Sequence, residues 1–377
     1  MSTLQQRLSA EESKFLTKVT TLGSATELPV VMNPSEFAKL IGVVYFDTGR
    51  FSELEKTHPG LTAKINPQVE YYSIPEVWFE KAIELREDEH VSLMRKATLD
   101  IPDFVTYLRC LAELHKRRRK YAMILSAQPM PTMVQISPRS LMEYGHVEPE
   151  ALASWLTWRK FFYDLDNRSA QETGYLFEPI LAAAIGGEPQ GTRTKVVKRS
   201  DDQSKGRQVD CWKAIPGRMP LAYEFKLRVT IAASGQGRIG EEHQFAVDCK
   251  NSGAVPVLVI LDPTPNPTMA GLKAVYEANG GHAFIGDEAW SHLEDEAGAV
   301  MARFIEKYVR SPVTDISKFE KIVNGDPTKK RLQLLDLSAR ASAGEIKITL
   351  GDYERIISRR EDLSLSDDDG DDGDTDI

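Results

Sequence analysis

The stretch QVDCWKAIPGRMPLAYEFKLRV, residues 208–229, decides the fold, because its last nine residues alternate between two kinds of side chain. Such alternation predicts a β-strand, in which successive side chains point to opposite faces. One face would be apolar, and the other would carry Glu224 and Lys226 side by side, about 7 Å apart at their backbones. The apolar face comprises Leu221, Tyr223, Phe225, Leu227 and Val229, and the other face Ala222, Glu224, Lys226 and Arg228.

A second strand is predicted at QVDCW, and the turn AIPGRMP joins it to the first. A hairpin that folds about Pro216 and Gly217 would bring Asp210 alongside Glu224. Two carboxylates and the ammonium of Lys226 would then share one end of a sheet. Oxygen ligands suit Mg²⁺, which commonly takes one or two carboxylates together with phosphate and water oxygens. The pattern favours phosphodiester hydrolysis, although a Glu-x-Lys pair taken alone is typical of a solvated strand face.

The order of these residues resembles the signature of the PD-(D/E)XK nucleases, which include most type II restriction endonucleases and several repair nucleases. Asp210 is followed by thirteen residues and then by Glu224-Phe225-Lys226. The resemblance covers residues 170–262, about a quarter of the chain. It implies that Asp210 and Glu224 hold Mg²⁺ and that Lys226 orients or activates the attacking water. Val209 stands where the name of the motif has proline.

Flanking elements extend the resemblance. The family has a helix with an acidic residue before the first catalytic strand, and YLFEPILAAAI offers Glu178 in a supporting role at the metal. A helix from about residue 239 to 251 and the apolar run VPVLVIL match the following helix and buried strand. Gln244, which corresponds to a glutamine of some members, and Glu242 are weaker candidates, and both are interpreted as surface positions of this helix rather than as metal or substrate contacts. The implied fold class is α/β, with a central mixed β-sheet flanked by helices.

The chain divides into four regions by pattern. Residues 1–165 predict a mostly helical N-terminal region, for DNA contact or dimerisation, without a strong strand signal. The pattern of residues 166–312 predicts the nuclease domain, whose strands include KVVK (195–198). Residues 313–365 are interpreted as a C-terminal extension. Residues 366–377 predict a disordered acidic tail. This tail carries seven aspartates of a chain with net charge -9, so the remainder is nearly neutral.

Candidate DNA contacts surround the predicted strands. Six basic residues lie between positions 191 and 209, where they would approach a phosphate backbone: Arg193, Lys195, Lys198, Arg199, Lys205 and Arg207. A Gly/Ser-rich loop follows the Glu-x-Lys strand, and its Gln236 and Arg238 are candidate readers of base edges. The run HKRRRK (115–120) is compatible with phosphate contact, with binding of the acidic tail or with a solvated helix face.

These features together predict a type II restriction enzyme, a Mg²⁺-dependent, sequence-specific endonuclease of double-stranded DNA. No helicase or ATPase motif accompanies the nuclease pattern, which indicates a self-sufficient enzyme. The resemblance implies a homodimer and a cognate DNA methyltransferase that shares the recognition site. The alternatives are a structure-selective repair or junction nuclease of the same fold and a catalytically inactive DNA-binding protein.

Other patterns indicate where the protein is located and what its cysteines do. No apolar run reaches the ~20 residues that cross a bilayer, and the polar N-terminus lacks the features of a signal peptide, so a cytoplasmic location is expected. Three scattered cysteines favour neither structural zinc nor disulfide bonds.

Overall fold

The computed structural model describes residues 8–23, 28–86, 89–227, 236–263, 267–315 and 337–360. Its first part is helical, as the sequence predicts. The helices are α1 (Ala10–Thr20), α2 (Pro34–Thr48), α3 (Phe51–Thr57), α4 (Thr62–Ile65), α5 (Glu76–Glu80), α6 (Glu89–Asp100), α7 (Phe104–Ala127) and α8 (Met133–Ser140). A 3-10 turn, Tyr71–Ser73, lies between α4 and α5. Two short strands, β1 (Thr21–Leu22) and β2 (Val30–Val31), form an antiparallel pair.

Helix α2 shows why these segments are helical. The side chain of Asn33 accepts a hydrogen bond from the backbone N–H of Glu36, Pro34 occupies the first turn, and Gly49 ends the helix in the left-handed region. Its residues 37–45 are buried almost without interruption. Helix α2 therefore lies at the centre of the N-terminal part.

The longest helix is α9 (Pro149–Ala184), with 36 residues and a length of about 54 Å. The predicted helix that carries Glu178 forms the C-terminal part of α9. The predicted boundary between residues 165 and 166 lies inside α9. The division into an N-terminal region and a nuclease domain therefore stays a prediction.

A mixed five-stranded sheet follows α9. Its strands are β3 (Glu188–Gln190), β4 (Val209–Lys213), β5 (Leu221–Lys226), β6 (Val255–Ile260) and β7 (His282–Ile285), in this spatial order. Strands β3, β4 and β5 are antiparallel neighbours, whereas β5, β6 and β7 run parallel. The connecting helices are α10 (Gln236–Asn251), α11 (Pro267–Ala278) and α12 (Asp287–Ile305), and a π-helical segment, Glu306–Arg310, extends α12. The predicted α/β class with a mixed central sheet is confirmed.

The prediction of a strand at residues 195–198 is wrong. Only Lys198 forms an isolated bridge there, with Gly206, and the edge strand is β3 instead. Lys195 adopts a left-handed backbone conformation with φ 53°, which is incompatible with an extended strand.

Both faces of the sheet are covered. On one face, Tyr223 and Phe225 join a core with helices α2, α7, α12 and the C-terminal end of α9. On the other face, Ala222 and Leu258 pack with Phe245 of α10 and Tyr276 of α11. The second face of β5 is therefore buried beneath helices, and Glu224 and Lys226 on it lie in an enclosed site.

A three-stranded antiparallel sheet lies within the C-terminal extension. It consists of β8 (Leu337–Ala341), β9 (Glu345–Leu350) and β10 (Tyr353–Ser358). Ile346 packs with Ile124 of α7 and Phe161 of α9. The indole N–H of Trp158 donates a hydrogen bond of 3.2 Å to the carbonyl of Ala339. The acidic tail lies outside the described residues, and none of the described helices could span a membrane.

Candidate active site

The predicted hairpin is present and brings the two motif carboxylates together. Cys211 pairs with Tyr223 in the β4–β5 ladder, so Asp210 and Glu224 are the next pair along it. A carboxylate oxygen of Asp210 accepts a hydrogen bond of 2.8 Å from the backbone N–H of Phe225. This bond fixes the orientation of a side chain that is 7% exposed.

Lys226 lies between two carboxylates. Its ammonium is 2.5 Å from Oε1 of Glu224 and 2.9 Å from Oε1 of Glu242, which comes from α10. The interpretation of Glu242 as a surface position is wrong, since this side chain is 14% exposed and contacts the site. The sequence contains a signal for it, because Glu242, Phe245, Ala246 and Cys249 follow the spacing of one buried helix face.

Glu178 reaches the same cleft from α9. It lines a cavity of about 400 Å³ together with Asp210, Glu224 and Glu242. Burial raises the pKa of Glu178 to about 7, and the charge of Glu224 adds to this effect. The structure therefore brings all four residues of the predicted catalytic set into one place.

The site carries more negative than positive charge. Burial, followed by the charge of Glu178, raises the pKa of Asp210 to about 7. Burial, followed by the charge of Asp210, raises the pKa of Glu224 to about 8. Burial by itself would lower the pKa of Lys226, but the surrounding carboxylates outweigh it and hold this pKa above its ordinary value. A group of buried carboxylates that repel one another is suited to a divalent cation.

Two further observations bear on whether this site could hold a metal ion. The second carboxylate oxygen of Glu242 is buried without a hydrogen-bond partner in the structure. No group of three or more His, Cys, Asp or Glu side chains among the described residues has the arrangement of a metal site. Asp210 and Glu224 are thus a pair that could hold a cation, whose remaining ligands would be phosphate and water oxygens.

The six basic residues before β4 do not share one role. Arg199 lines the cleft, and its guanidinium is 3.5 Å from a carboxylate oxygen of Glu241. Arg193, Lys195, Lys198 and Lys205 are exposed around the segment. Arg207 is 8% exposed and pairs with Asp248 and Glu241, and Asp248 is fully buried. Arg207 therefore ties the segment to α10, and it also lines the cleft.

The remaining candidates from α10 are placed differently from the prediction. The helix begins at Gln236, so Gln236 and Arg238 belong to its first turn, although their side chains lie outside the described part. The amide of Gln244 donates a hydrogen bond of 3.0 Å to Asp248. Gln244 thus supports the Arg207–Asp248 pair, and nothing in the structure connects it to Lys226.

The basic run HKRRRK is largely used within the chain. His115 and Lys116 are buried, and Arg117 and Lys120 both pair with Glu172 of α9. Arg119 pairs with Glu36 of α2. These residues hold α7 against its neighbours, because burial and ion pairing satisfy most of their charge inside the protein.

Comparison with known proteins shows the family of the chain. The family model described as ApaLI-like restriction endonuclease matches residues 52–310, which include Glu178, Asp210, Glu224 and Lys226. The chain is also similar to the type II restriction enzyme ApaLI of Acetobacter pasteurianus. The two chains are 58% identical over 372 residues, which are 98% of this chain and 99% of that protein.

Proposed function

The chain belongs to the ApaLI-like restriction endonuclease family, and from this premise we propose how its own residues cut DNA. It is a type II site-specific deoxyribonuclease that hydrolyses phosphodiester bonds of double-stranded DNA. The single observation that supports the assignment of the site is the cleft in which Asp210 and Glu224 lie beside Lys226. Membership of the family favours this function over a junction nuclease and over an inactive DNA-binding protein.

Asp210 and Glu224 would hold the metal ion, for which we propose Mg²⁺. When bound, Mg²⁺ neutralises charge on the scissile phosphate and makes a bound water more acidic. The Phe225 N–H keeps the Asp210 carboxylate turned toward the site. Glu178 adds a third carboxylate on the α9 side of the cleft, where it can accept a hydrogen bond from the water or support the metal.

Lys226 would provide the positive charge next to the reacting phosphate. Its ammonium can donate a hydrogen bond to the attacking water or to a phosphate oxygen, and so it orients the nucleophile and stabilises the charge that develops. Glu242 holds this ammonium from the α10 side at 2.9 Å. We propose Glu242 as a positioning residue, because its carboxylate contacts the Lys226 ammonium.

The basic segment would hold the substrate backbone. Arg199 at the cleft, together with the exposed Arg193, Lys195, Lys198 and Lys205, offers charge for phosphate contacts. Gln236 and Arg238 remain candidates for base contacts, since both belong to the helix that borders the cleft. Arg207 would support these contacts indirectly through its buried ion pairs.

Cleavage of both DNA strands requires two hydrolysis events, and the described part of the chain holds one such cleft. We therefore propose that two copies act as a homodimer with twofold symmetry. We also propose a cognate DNA methyltransferase that shares the recognition site. For the protein itself we propose a cytoplasmic location. Residues 1–165 would contribute to DNA contact or dimerisation.

Digestion of DNA of mixed sequence tests the proposal. With Mg²⁺ we expect discrete fragments whose ends map to one short sequence, and we expect no cleavage when EDTA removes the metal. Cleavage only at branches or ends would contradict site-specific activity. Sedimentation analysis of the protein with and without a duplex that contains the mapped site tests the dimer.

A further inference from the structure

A second cleft lies between α1, α7 and α9, outside the catalytic cleft. It has a volume of about 1010 Å³. Its floor is apolar and includes Cys110, Ile180 and Ala183, whereas its walls are polar and basic. We call it the α1 cleft.

Helix α1 contributes one entire face to this cleft. The residues of this face follow helical spacing, are small, polar or basic, and comprise Ala10, Ser13, Lys14, Thr17 and Lys18, and Thr21 of β1 also lines the cleft. The helix is held in place from its other side, where Arg95 of α6 pairs with Glu12 at 2.6 Å and Val19 is buried. Hydroxyl and amine side chains on a fixed helix are the groups with which proteins contact DNA phosphates.

The α1 cleft has a surplus of positive charge. On α7, Arg117 and Lys116 already have acidic partners, Glu172 and Glu113. For Lys14, Lys18 and Arg109, by contrast, the described residues supply no ion pair. Burial lowers the pKa of Lys18, and the charge of Arg109 lowers it further. Among the lining residues that the structure describes, Lys14, Lys18 and Arg109 share the cleft with two carboxylates, Glu113 and Glu188, of which Glu113 already pairs with Lys116.

The α1 cleft and the catalytic cleft are neighbours on one helix. Tyr175 and Pro179 of α9 line the α1 cleft, and Glu178 between them lines the catalytic cleft. Along the helix axis, Glu178 is about 4.5 Å from Tyr175 and about 1.5 Å from Pro179. The chain from Glu188 to Thr192 also passes from one cleft to the other. The two clefts therefore adjoin along α9 and along residues 188–192.

We propose that the α1 cleft binds the sugar–phosphate backbone of the substrate next to the scissile phosphate. Lys14, Lys18 and Arg109 would bind phosphate oxygens, and Ser13 would donate a hydrogen bond from its hydroxyl. The apolar floor would face the sugars. The inference rests on the proposed function, since it assigns a second binding surface to the same substrate.

Salt-dependent binding tests the α1 cleft. The Lys18→Ala/Arg109→Ala double variant is compared with the parent by fluorescence anisotropy, using a labelled duplex that carries the mapped cut site, in EDTA and a series of salt concentrations. Each lost phosphate contact reduces the slope of log affinity against log salt by about 0.9, so we expect a reduction of about 1.8. The affinity for the duplex should fall together with this slope.

Two further variants keep the test decisive. Lys56→Ala/Lys64→Ala removes the same charge from exposed positions that line neither cleft, and it should leave the slope unchanged. Lys14→Ala changes an exposed side chain without risk to folding, and it should reduce the slope by about 0.9. If the α1-cleft variants match the control variant, the inference is overturned. The Glu224→Ala variant separates this failure from failure of the proposed function. If only the α1-cleft inference fails, Glu224→Ala still abolishes cleavage, whereas cleavage by Glu224→Ala at the parent's rate would contradict the proposed function.

Discussion

The carboxylate of Asp210 and the backbone N–H of Phe225 are joined by a hydrogen bond of 2.8 Å across the β4–β5 hairpin. Phe225 lies between Glu224 and Lys226 in sequence, so the bond connects the first motif residue directly to the strand that carries the other two. Phe225 itself is buried against the helices on the opposite face. The packing of an apolar side chain thus fixes the positions of three charged groups.

Substitution of the motif residues should separate binding from catalysis. Glu224→Gln and Lys226→Ala should each lower kcat by about 10²–10³-fold or more, because each removes a charge that acts on the transition state. The dissociation constant for the mapped duplex should change little, since basic residues outside the motif hold the DNA. Glu277→Gln, at an exposed position of α11, is the matched control. If both motif variants cleave like the parent, the site is wrongly assigned.

Substitution of Arg207 should lower the stability of the protein, whereas substitution of Arg199 should weaken DNA binding. Arg207→Ala leaves the fully buried carboxylate of Asp248 without its charged partner, which costs about 3–5 kcal/mol of unfolding free energy. Arg199→Ala should leave stability nearly unchanged, because its single ion pair with Glu241 is partly exposed, and should weaken DNA binding. Urea unfolding and anisotropy measure the two effects. A stable Arg207→Ala variant with weakened DNA binding would contradict the structural role of Arg207.

Gly187 is predicted to tolerate no side chain. A Cβ atom at this position would lie 2.3 Å from Sγ of Cys211 and 3.1 Å from the carbonyl oxygen of Trp212. Gly187→Ala should therefore cost about 1–3 kcal/mol and disturb the strand that carries Asp210. Removal of the sulfur by Cys211→Ala should relieve part of this cost. A double-mutant cycle from urea unfolding measures the coupling, and purely additive free energies would refute the steric explanation.

The ion pair between Glu36 and Arg119 should make stability depend on pH. Burial raises the pKa of Glu36, but hydrogen bonds with His115 and Arg119 outweigh this and hold the pKa below its ordinary value. The stabilisation is therefore fully present above the unfolded pKa of about 4.3 and is lost as pH falls through the lower folded pKa. Glu36→Gln should cost about 2 kcal/mol at pH 7.

The difference between the parent and Glu36→Gln should shrink as the pH falls below about 4. Burial also lowers the pKa of His115, which is consistent with a neutral imidazole at pH 7. Urea unfolding of both proteins from pH 7 to pH 3 measures the difference. A difference that is independent of pH would show that the carboxylate charge contributes nothing.

The core of the site could be predicted from the sequence because its determinants are local. Strand alternation places Glu224 and Lys226 on one face, and a short turn sets the register that brings Asp210 to Glu224. The run VPVLVIL likewise indicates a strand covered on both faces, as β6 is.

Roles that depend on tertiary partners could not be predicted in this way. Arg207 looks like its basic neighbours in sequence, and only the buried Asp248 gives it a structural role. The same holds for Lys116, whose ammonium bonds to the carbonyls of Lys18 and Thr21. Glu242 was identifiable from its helical spacing, but its contact with Lys226 requires α10 to pack over β5.

The parallel pairing of β5 with β6 has a consequence for synthesis of the chain. When translation has reached Lys226, the ribosome has already made Glu178, Asp210, Glu224 and Lys226. The strand β6 and the helix α10, which enclose β5 and place Glu242 against Lys226, follow only later. A nascent chain of this length therefore carries every residue of the proposed catalytic set before the strand and the helix that enclose this set have been made.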